Sequence, residues 1–256
     1  MNSAESIHRV MHEIKRRKLE VLRVTDLTPL MRRITLHGPE LAGFISLGAD
    51  DHVKLLFPRN AEEQAALDTL QLGGSNEGPR PAMRDYTPRR YDPQSQELDI
   101  DFVLHGDGPA ATWAAQAAPG QVLYIAGPRG SMVVPDIFDS YLLIGDETAL
   151  PAIARRLEEL PAGRTAKVLV EVANLNERQA LASQAEVAVT WVVRGEQDLL
   201  DAIRQVEIPA GKLYAWVATE ATLSRQARRV LLDERGLDDE FVKAAGYWRQ
   251  EEQPAA

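Results

Sequence analysis

The chain has 256 residues, 45% hydrophobic and 26% charged, with no cysteine and a formal net charge of −9. The missing cysteine excludes disulfides, thiolate nucleophiles, iron–sulfur ligation and cysteine-held zinc, and the acidic balance opposes binding to nucleic acid or to an anionic membrane. An acidic protein that takes up an anionic ligand must therefore gather its basic residues locally.

Residues 1–17 (MNSAESIHRVMHEIKRR) read as a short amphipathic helix or arm. His8 and His12 stand at helical i, i+4 spacing but lack a nearby third ligand, so no metal site is expected. The N-terminal stretch holds no apolar run of signal-peptide length. No stretch approaches the roughly 18 apolar residues of a membrane span. A soluble cytoplasmic protein is the expectation. LEVLRVTDLTPLMRRITLHG gives strands near 19–25 and 31–37, broken between Asp26 and Pro29. DHVKLLFP gives a third strand ended by Pro58. Residues 59–80 are polar and Gly-rich, an exposed excursion. MRDYTPRRYDP is a strand and a turn. ELDIDFVLH alternates apolar and polar residues, the pattern of a half-buried strand. GDGPAATWAAQAAPG is a loop and an Ala-rich helix stopped at Pro119-Gly120, and QVLYIAGPRGSMVV adds one or two strands. Six or so short antiparallel strands with one brief helix predict a small barrel.

The rhythm changes near residue 140. SYLLIGDE is a continuous apolar run, as for a strand buried on both faces. TALPAIARRLEEL is a helix with proline in its first turn. AKVLVEVAN, VTWVVRG and KLYAWVATE repeat the strand pattern, and NERQALASQ, DLLDAIRQV and ATLSRQARRVLLDERG read as helices. Four strands alternating with helices predict a parallel, doubly wound sheet. The fold class is β followed by α/β: an arm over 1–17, a six-stranded antiparallel barrel over 18–137 and a parallel-sheet domain over 138–256.

Ligands of open α/β sheets sit beyond the carboxyl ends of the strands. Two such ends stand out: Gly145, Asp146, Glu147 and Thr148, and the turn with Thr219 and Glu220. Neither carries GxGxxG, no Walker A motif is present, and a strand–turn–helix junction is also ordinary α/β construction. In the first half, Arg84, Tyr86 and Thr87 form R-x-Y-T, and alternation puts Arg84 and Tyr86 on one face. An arginine beside an aromatic ring clamps a phosphate while covering a flat ring; an exposed barrel rim is the alternative. Gly108 to Thr112 open a helix with small residues, where backbone N–H groups approach a diphosphate. No carboxylate pair, Ser/His/Asp spacing or G-x-S-x-G marks a catalytic side chain.

Taken together, RDYTPRRY, DIDFVLHGDGPAATWA, AGPRGSMVVP, LLIGDETALPAI and AAGYWR resemble the siderophore-interacting protein family, the ferric-siderophore or ferric-chelate reductases of the vibriobactin-utilisation type. The matching blocks run in order from about residue 18 to residue 249. The resemblance implies a ferredoxin-reductase-like fold, an FAD-binding barrel followed by an NAD(P)H-binding α/β domain. It implies that Arg84 holds the FAD diphosphate, that Tyr86 lies against the flavin and that Thr87 approaches its N5 edge. Asp101, Phe102, Val103 and His105 continue that site. Gly108, Ala110, Ala111 and Thr112 cradle the diphosphate, with Trp113 behind. Many relatives carry serine where this chain has Ala111. Tyr247 and Trp248 match a terminal aromatic pair that reaches back toward the flavin.

Gly145, Asp146, Glu147, Thr148 and Glu220 match the stretches facing the pyridine nucleotide, and Arg225 or Arg228 pairs with a 2′-phosphate, favouring NADPH. Lys54, Arg129 and Lys243, with Arg249 assisting, match the basic pocket for an anionic ferric siderophore. The implied activity is transfer of electrons from NAD(P)H through FAD to chelated Fe(III), by a monomer without membrane or nucleic-acid partners. The alternatives are a general NAD(P)H–flavin oxidoreductase and a siderophore-binding module without redox activity. Ferredoxin donates electrons to some relatives; a helical C-terminal extension bearing the Tyr–Trp pair favours the nucleotide-dependent branch.

Overall fold

Inward-facing residues at every second position shape the first half of the chain. Leu19 and Val21, Ile34 and Leu36, Val53 and Leu55, and Leu98, Ile100 and Phe102 are all nearly or fully buried, and they form one core with Leu123 and Ile125. In the computed structural model, which describes residues 6–69 and 80–250, the chain divides into units Met1–Pro135 and Asp136–Ala256.

The first unit contains β1 (His8–Met11), β2 (Arg16–Thr28), β3 (Met31–His37), β4 (Val53–Phe57), α1 (Ala61–Thr69), β5 (Ala82–Tyr86), β6 (Arg90–Asp92), β7 (Glu97–Val103), α2 (Pro109–Gln116), β8 (Val122–Ala126) and β9 (Gly130–Val133). Seven strands, not six, form one antiparallel sheet in the order β5-β4-β8-β2-β3-β7-β6, while β1 and β9 pair separately. Among the described residues its edge strands β5 and β6 do not pair with each other, so the expected barrel is a curled sheet left open at that edge.

Three local expectations are corrected. Residues 8–11 form a strand, because pairing with β9 supplies backbone partners from Met11↔Gly130 to His8↔Val133. The helical spacing of His8 and His12 thereby loses its meaning. The excursion after Pro58 begins with α1, whose Leu67 is buried against Leu56 and Tyr124; the stretch 70–79 lies outside the described residues. Finally, β7 is buried on both faces. Asp99 and Asp101 are only 3% and 5% exposed, because Thr35 donates to Asp99 at 2.6 Å and Arg33 grips Asp101 at 2.7 and 2.8 Å.

The second unit contains β10 (Ser140–Asp146), α3 (Leu150–Glu159), β11 (Thr165–Val172), β12 (Glu186–Val193), α4 (Leu199–Gln205), β13 (Leu213–Glu220), α5 (Ala221–Arg229) and β14 (Val242–Trp248). Five strands, not four, lie parallel in the order β12-β11-β10-β13-β14. The helix expected over 176–184 is a single 3-10 turn, Leu175–Glu177, capped by the Asn174 side chain. Ser183 there accepts from Ala185 N–H at 3.1 Å, a local side-chain bond of the kind that competes with helix, and its hydroxyl is tied to the distant Leu157 carbonyl at 2.6 Å. The C-terminal segment is likewise a strand, since the free edge of β13 accepts Val242–Trp248 as an added partner. Among the described residues no helix is long and apolar enough to cross a membrane.

Candidate active site

The register of β5 on β4 decides which side chains meet in the first unit. Tyr86 stands opposite Val53, and Arg84 opposite Leu55. Cross-strand partners share a face, so Arg84 and Tyr86 lie on the core side, as alternation required. Arg84 is nevertheless exposed, because β5 is an edge strand; its Nη1 donates to the Met83 carbonyl at 2.8 Å. The Tyr86 ring packs 4.5 Å from Phe102, Phe102 lies 5.7 Å from Trp113, and Trp113 lies 5.8 Å from Phe57. Desolvation pushes the Tyr86 phenol up to about 12, against the pull of Arg84. Phe102 is wholly buried, so its ring supports Tyr86 from beneath and offers no surface of its own. Thr87 is 6% exposed.

The other first-unit residues divide by burial. Val103 is half-buried and His105 exposed. Asp101 gives its carboxylate to Arg33 and faces Arg89 at 4.0 Å. Arg33 was not foreseen from the sequence; its only signal is the cross-strand pairing Arg33↔Asp101. At the start of α2, Gly108 is the cap residue and contributes no side-chain hydrogen bond. A Cβ placed on Gly108 would meet nothing within 4 Å. Ala110 is buried, Ala111 and Trp113 are half-buried, and Thr112 is exposed. The helix start thus presents free space and backbone donors beside the Trp113–Phe102–Tyr86 aromatic run. These features fit a dinucleotide: a diphosphate at an uncapped helix N-terminus, an exposed arginine, and a desolvated aromatic ring.

The four basic candidates divide between the units. Lys54 pairs with Asp85 at 2.8 Å, and the register places both on the face opposite Arg84 and Tyr86. Lys54 also stands opposite Ala126 of β8, and the exposed Arg129 follows three residues later. The Arg129 backbone is held: its carbonyl accepts from His12 N–H at 2.9 Å, and Arg17 donates to the Gly127 carbonyl at 3.0 Å. Next to it lies a buried hub missed in the sequence. Ser131 donates to Asp51 at 2.5 Å, sits 2.7 Å from His12 Nε2 and accepts from Leu47 N–H at 3.0 Å. A Cβ on Gly130 would sit 2.6 Å from the Val10 carbonyl oxygen, which explains that glycine in GPRGS. Lys243 is half-buried on β14 and Arg249 is exposed, both in the second unit.

In the second unit the candidate residues cluster at the carboxyl ends of β10 and β13. Gly145 is required by packing, since a Cβ there would lie 2.5 Å from Ala149 Cβ and 3.1 Å from Ile153 Cδ1. Asp146 is 2% exposed. It accepts from Thr148 N–H at 2.9 Å and Thr148 Oγ1 at 2.5 Å on one oxygen, and from the Trp248 indole at 2.7 Å on the other. Burial raises its pKa, and these bonds oppose the rise. Glu147 accepts from Ala173 N–H at 2.6 Å and from Arg194 at 2.7 Å. Arg194, also unforeseen, bridges to Glu171 at 2.9 Å. The two carboxylates hold its pKa up in spite of burial. Glu220 caps α5, accepting from Thr222 and Leu223 N–H at 2.6 and 3.0 Å. Arg225 is exposed and donates to Thr222 Oγ1 at 3.0 Å, whereas Arg228 is paired with Asp239. The Tyr247 ring lies 5.9 Å from Trp216.

Residues 20–132 match the family model described as siderophore-interacting FAD-binding domain, and residues 138–251 match the one described as siderophore-interacting protein. An NADPH-dependent ferric-chelate reductase of Escherichia coli is 38% identical, covering 96% of this chain and 98% of its own length. The ferric vibriobactin reductase ViuB of Vibrio cholerae is 32% identical, covering 91% of this chain and 89% of its own length. A crystal structure of a siderophore utilization protein from T. fusca superposes at a TM-score of 0.86 with 38% identity, covering 98% of this chain and 99% of that one.

Proposed function

The chain belongs to the siderophore-interacting protein family, and on that premise we propose that it is an FAD-containing, NAD(P)H-dependent reductase of ferric siderophores, working in the cytoplasm as a monomer. The observation that carries this reading is the end-to-end match to an NADPH-dependent ferric-chelate reductase across both units. The uncapped, sterically open start of α2 beside an exposed arginine and a desolvated tyrosine supports it.

When bound, FAD would supply the conversion of two-electron hydride chemistry from NAD(P)H into the one-electron transfers that a chelated metal needs. The protein's own residues bind and position. Arg84 and the first N–H groups of α2 hold the diphosphate. Tyr86, backed by Phe102 and Trp113, gives the isoalloxazine a dry flat surface, and Thr87 stands at its edge. Asp101 acts through Arg33 by fixing the neighbouring strand. The second unit takes the nucleotide at the carboxyl ends of β10 and β13, where strand connections diverge to opposite sides, and Arg225 receives the 2′-phosphate of NADPH. Lys54, Arg129, Lys243 and Arg249 draw the anionic ferric chelate to a protein of otherwise negative charge. Hard oxygen donors hold Fe(II) more weakly than Fe(III), so reduction releases the metal without any side chain acting as acid, base or ligand.

Anaerobic mixing tests the proposal. The yellow protein, with about one flavin per chain, is bleached by NADPH, and a ferric triscatecholate restores the colour while Fe(II) accumulates. Neutral acceptors reacting as fast as the chelate would leave only a general flavin reductase. Failure to take up FAD would leave no reductase at all. In K54Q/R129Q the KM for the anionic chelate rises about tenfold with FAD retained; an unchanged KM removes the basic pocket.

A further inference from the structure

We infer that Asp146 is a positioning residue for the pyridine nucleotide: it holds the Trp248 indole across the carboxyl end of β13, and that indole forms one wall of the nucleotide crevice. The inference rests on the reading that the second unit takes NAD(P)H.

Strand order supplies the first argument. β10 and β14 both pair with β13 and lie on opposite sides of it. With a ladder spacing of about 4.8 Å, they are roughly 10 Å apart. A hydrogen bond of 2.7 Å between a β14 side chain and a β10 side chain therefore spans the end of the strand between them. That end is where the connection from β10 turns toward β11 while β13 turns toward β14, the crevice in which open α/β sheets place their ligands.

The second argument is how firmly the indole is aimed. The β13–β14 ladder shifts register between Thr219 and Glu220: Gly246 faces Thr219, and Trp248, not Tyr247, faces Glu220. One extra residue in a strand re-aims the side chains around it, and such bulges concentrate beside functional sites. Gly246 allows the close approach, since a Cβ there would lie 2.8 Å from both Cα and Cβ of Ala221. The end of β14 is thus pressed onto the first turn of α5, whose cap is Glu220.

The third argument is the division of labour on Asp146. One carboxylate oxygen serves both donors of Thr148, and the other serves only the indole N–H. Asp146 is buried and has no free edge for a ligand, whereas Trp248 keeps 37% of its surface exposed. The residue that touches the nucleotide is therefore Trp248, and Asp146 acts through it.

The test compares wild type, D146N and W248F. Asparagine offers one acceptor and one donor, so it cannot serve Thr148 and Trp248 together. Phenylalanine keeps a flat ring but has no N–H. In the FAD-free proteins, ¹H–¹⁵N spectra of the tryptophan indoles report the bond itself. W248F identifies the Trp248 signal by its loss, and D146N is expected to shift that signal and speed its hydrogen exchange. In proteins loaded to equal flavin content, both variants are expected to raise the NADPH concentration for half-maximal flavin reduction about tenfold. An indole signal unmoved by D146N overturns the clasp. A moved signal with half-saturation within twofold of wild type overturns the positioning role. If NADPH fails to reduce the wild-type flavin, the donor reading falls and this role with it, whatever the indole spectrum shows.

Discussion

Replacing Gly145 by alanine tests whether the nucleotide turn is built by close packing of α3 on the sheet. The new Cβ would lie 2.5 Å from Ala149 Cβ, 3.1 Å from Ile153 Cδ1 and 3.2 Å from the Ala218 carbonyl oxygen. Carbon atoms pack at about 3.5–4.0 Å, so the start of α3 must retreat by roughly 1 Å. The Ala218 side cannot yield, because Gly145 is paired with Ala218 in the β10–β13 ladder. Overpacking of this kind costs about 1–3 kcal/mol, and opposition from both directions points to the upper end. For a urea m-value of about 1–3 kcal/mol per molar, a cost near the upper end lowers the midpoint of the FAD-free protein by about 1–3 M. Displacing α3 also moves the Asp146–Thr148 turn, so half-saturating NADPH rises while flavin content stays the same. A G145A midpoint within about 0.3 M of wild type, less than the lowest of those costs, would refute the packing argument.

Other consequences follow from the same geometry. G108A meets open space and backbone angles that alanine adopts, so FAD-free stability stays within about 0.5 kcal/mol while FAD affinity falls about tenfold if the diphosphate approaches this backbone; equal affinity by equilibrium dialysis argues against the site. R33M strips Asp101 of its bidentate partner and lowers stability by about 3 kcal/mol, read as a shifted urea midpoint; no shift means that Arg89 already suffices. Tyr86 keeps its proton in the folded state until about pH 12, whereas the unfolded chain loses it near 10. Above pH 10 the unfolded state therefore binds fewer protons, and this contribution is lost as pH rises toward 12, by up to about 1.4 kcal/mol per pH unit. Denaturation of wild type and Y86F across pH 9–11.5 checks it: parallel curves exclude the desolvated phenol.

Local pattern made some of the site legible in advance. Arg84 and Tyr86 were put on one face by strand alternation alone, and the register on Val53 and Leu55 agrees. SYLLIGD was recognisable as a central strand because a continuous apolar run suits burial on both faces, and all seven of its residues are buried. What escaped were features that depend on a distant partner. His8 and His12 carry a helical spacing, but His8–Met11 forms a strand, since β9, some 120 residues later, supplies its hydrogen bonds. Arg33 and Arg194 look like ordinary surface cations until the pairings bring them against Asp101, Glu147 and Glu171.

The sequence by itself determined the alternation of β10, α3 and β11 and of α4, β13 and α5, and the change from β to α/β near residue 140, because periodicity and backbone preference act over a few residues. Tertiary structure alone decided that the first sheet stays open, that the C-terminal segment joins the second sheet as a fifth strand, and that Asp146 bonds to Trp248 from 102 positions away. The reason is physical: an edge strand accepts whichever segment satisfies its N–H and C=O groups, and a buried carboxylate takes whichever donors the folded chain brings within reach. Neither choice leaves a trace in the neighbouring sequence.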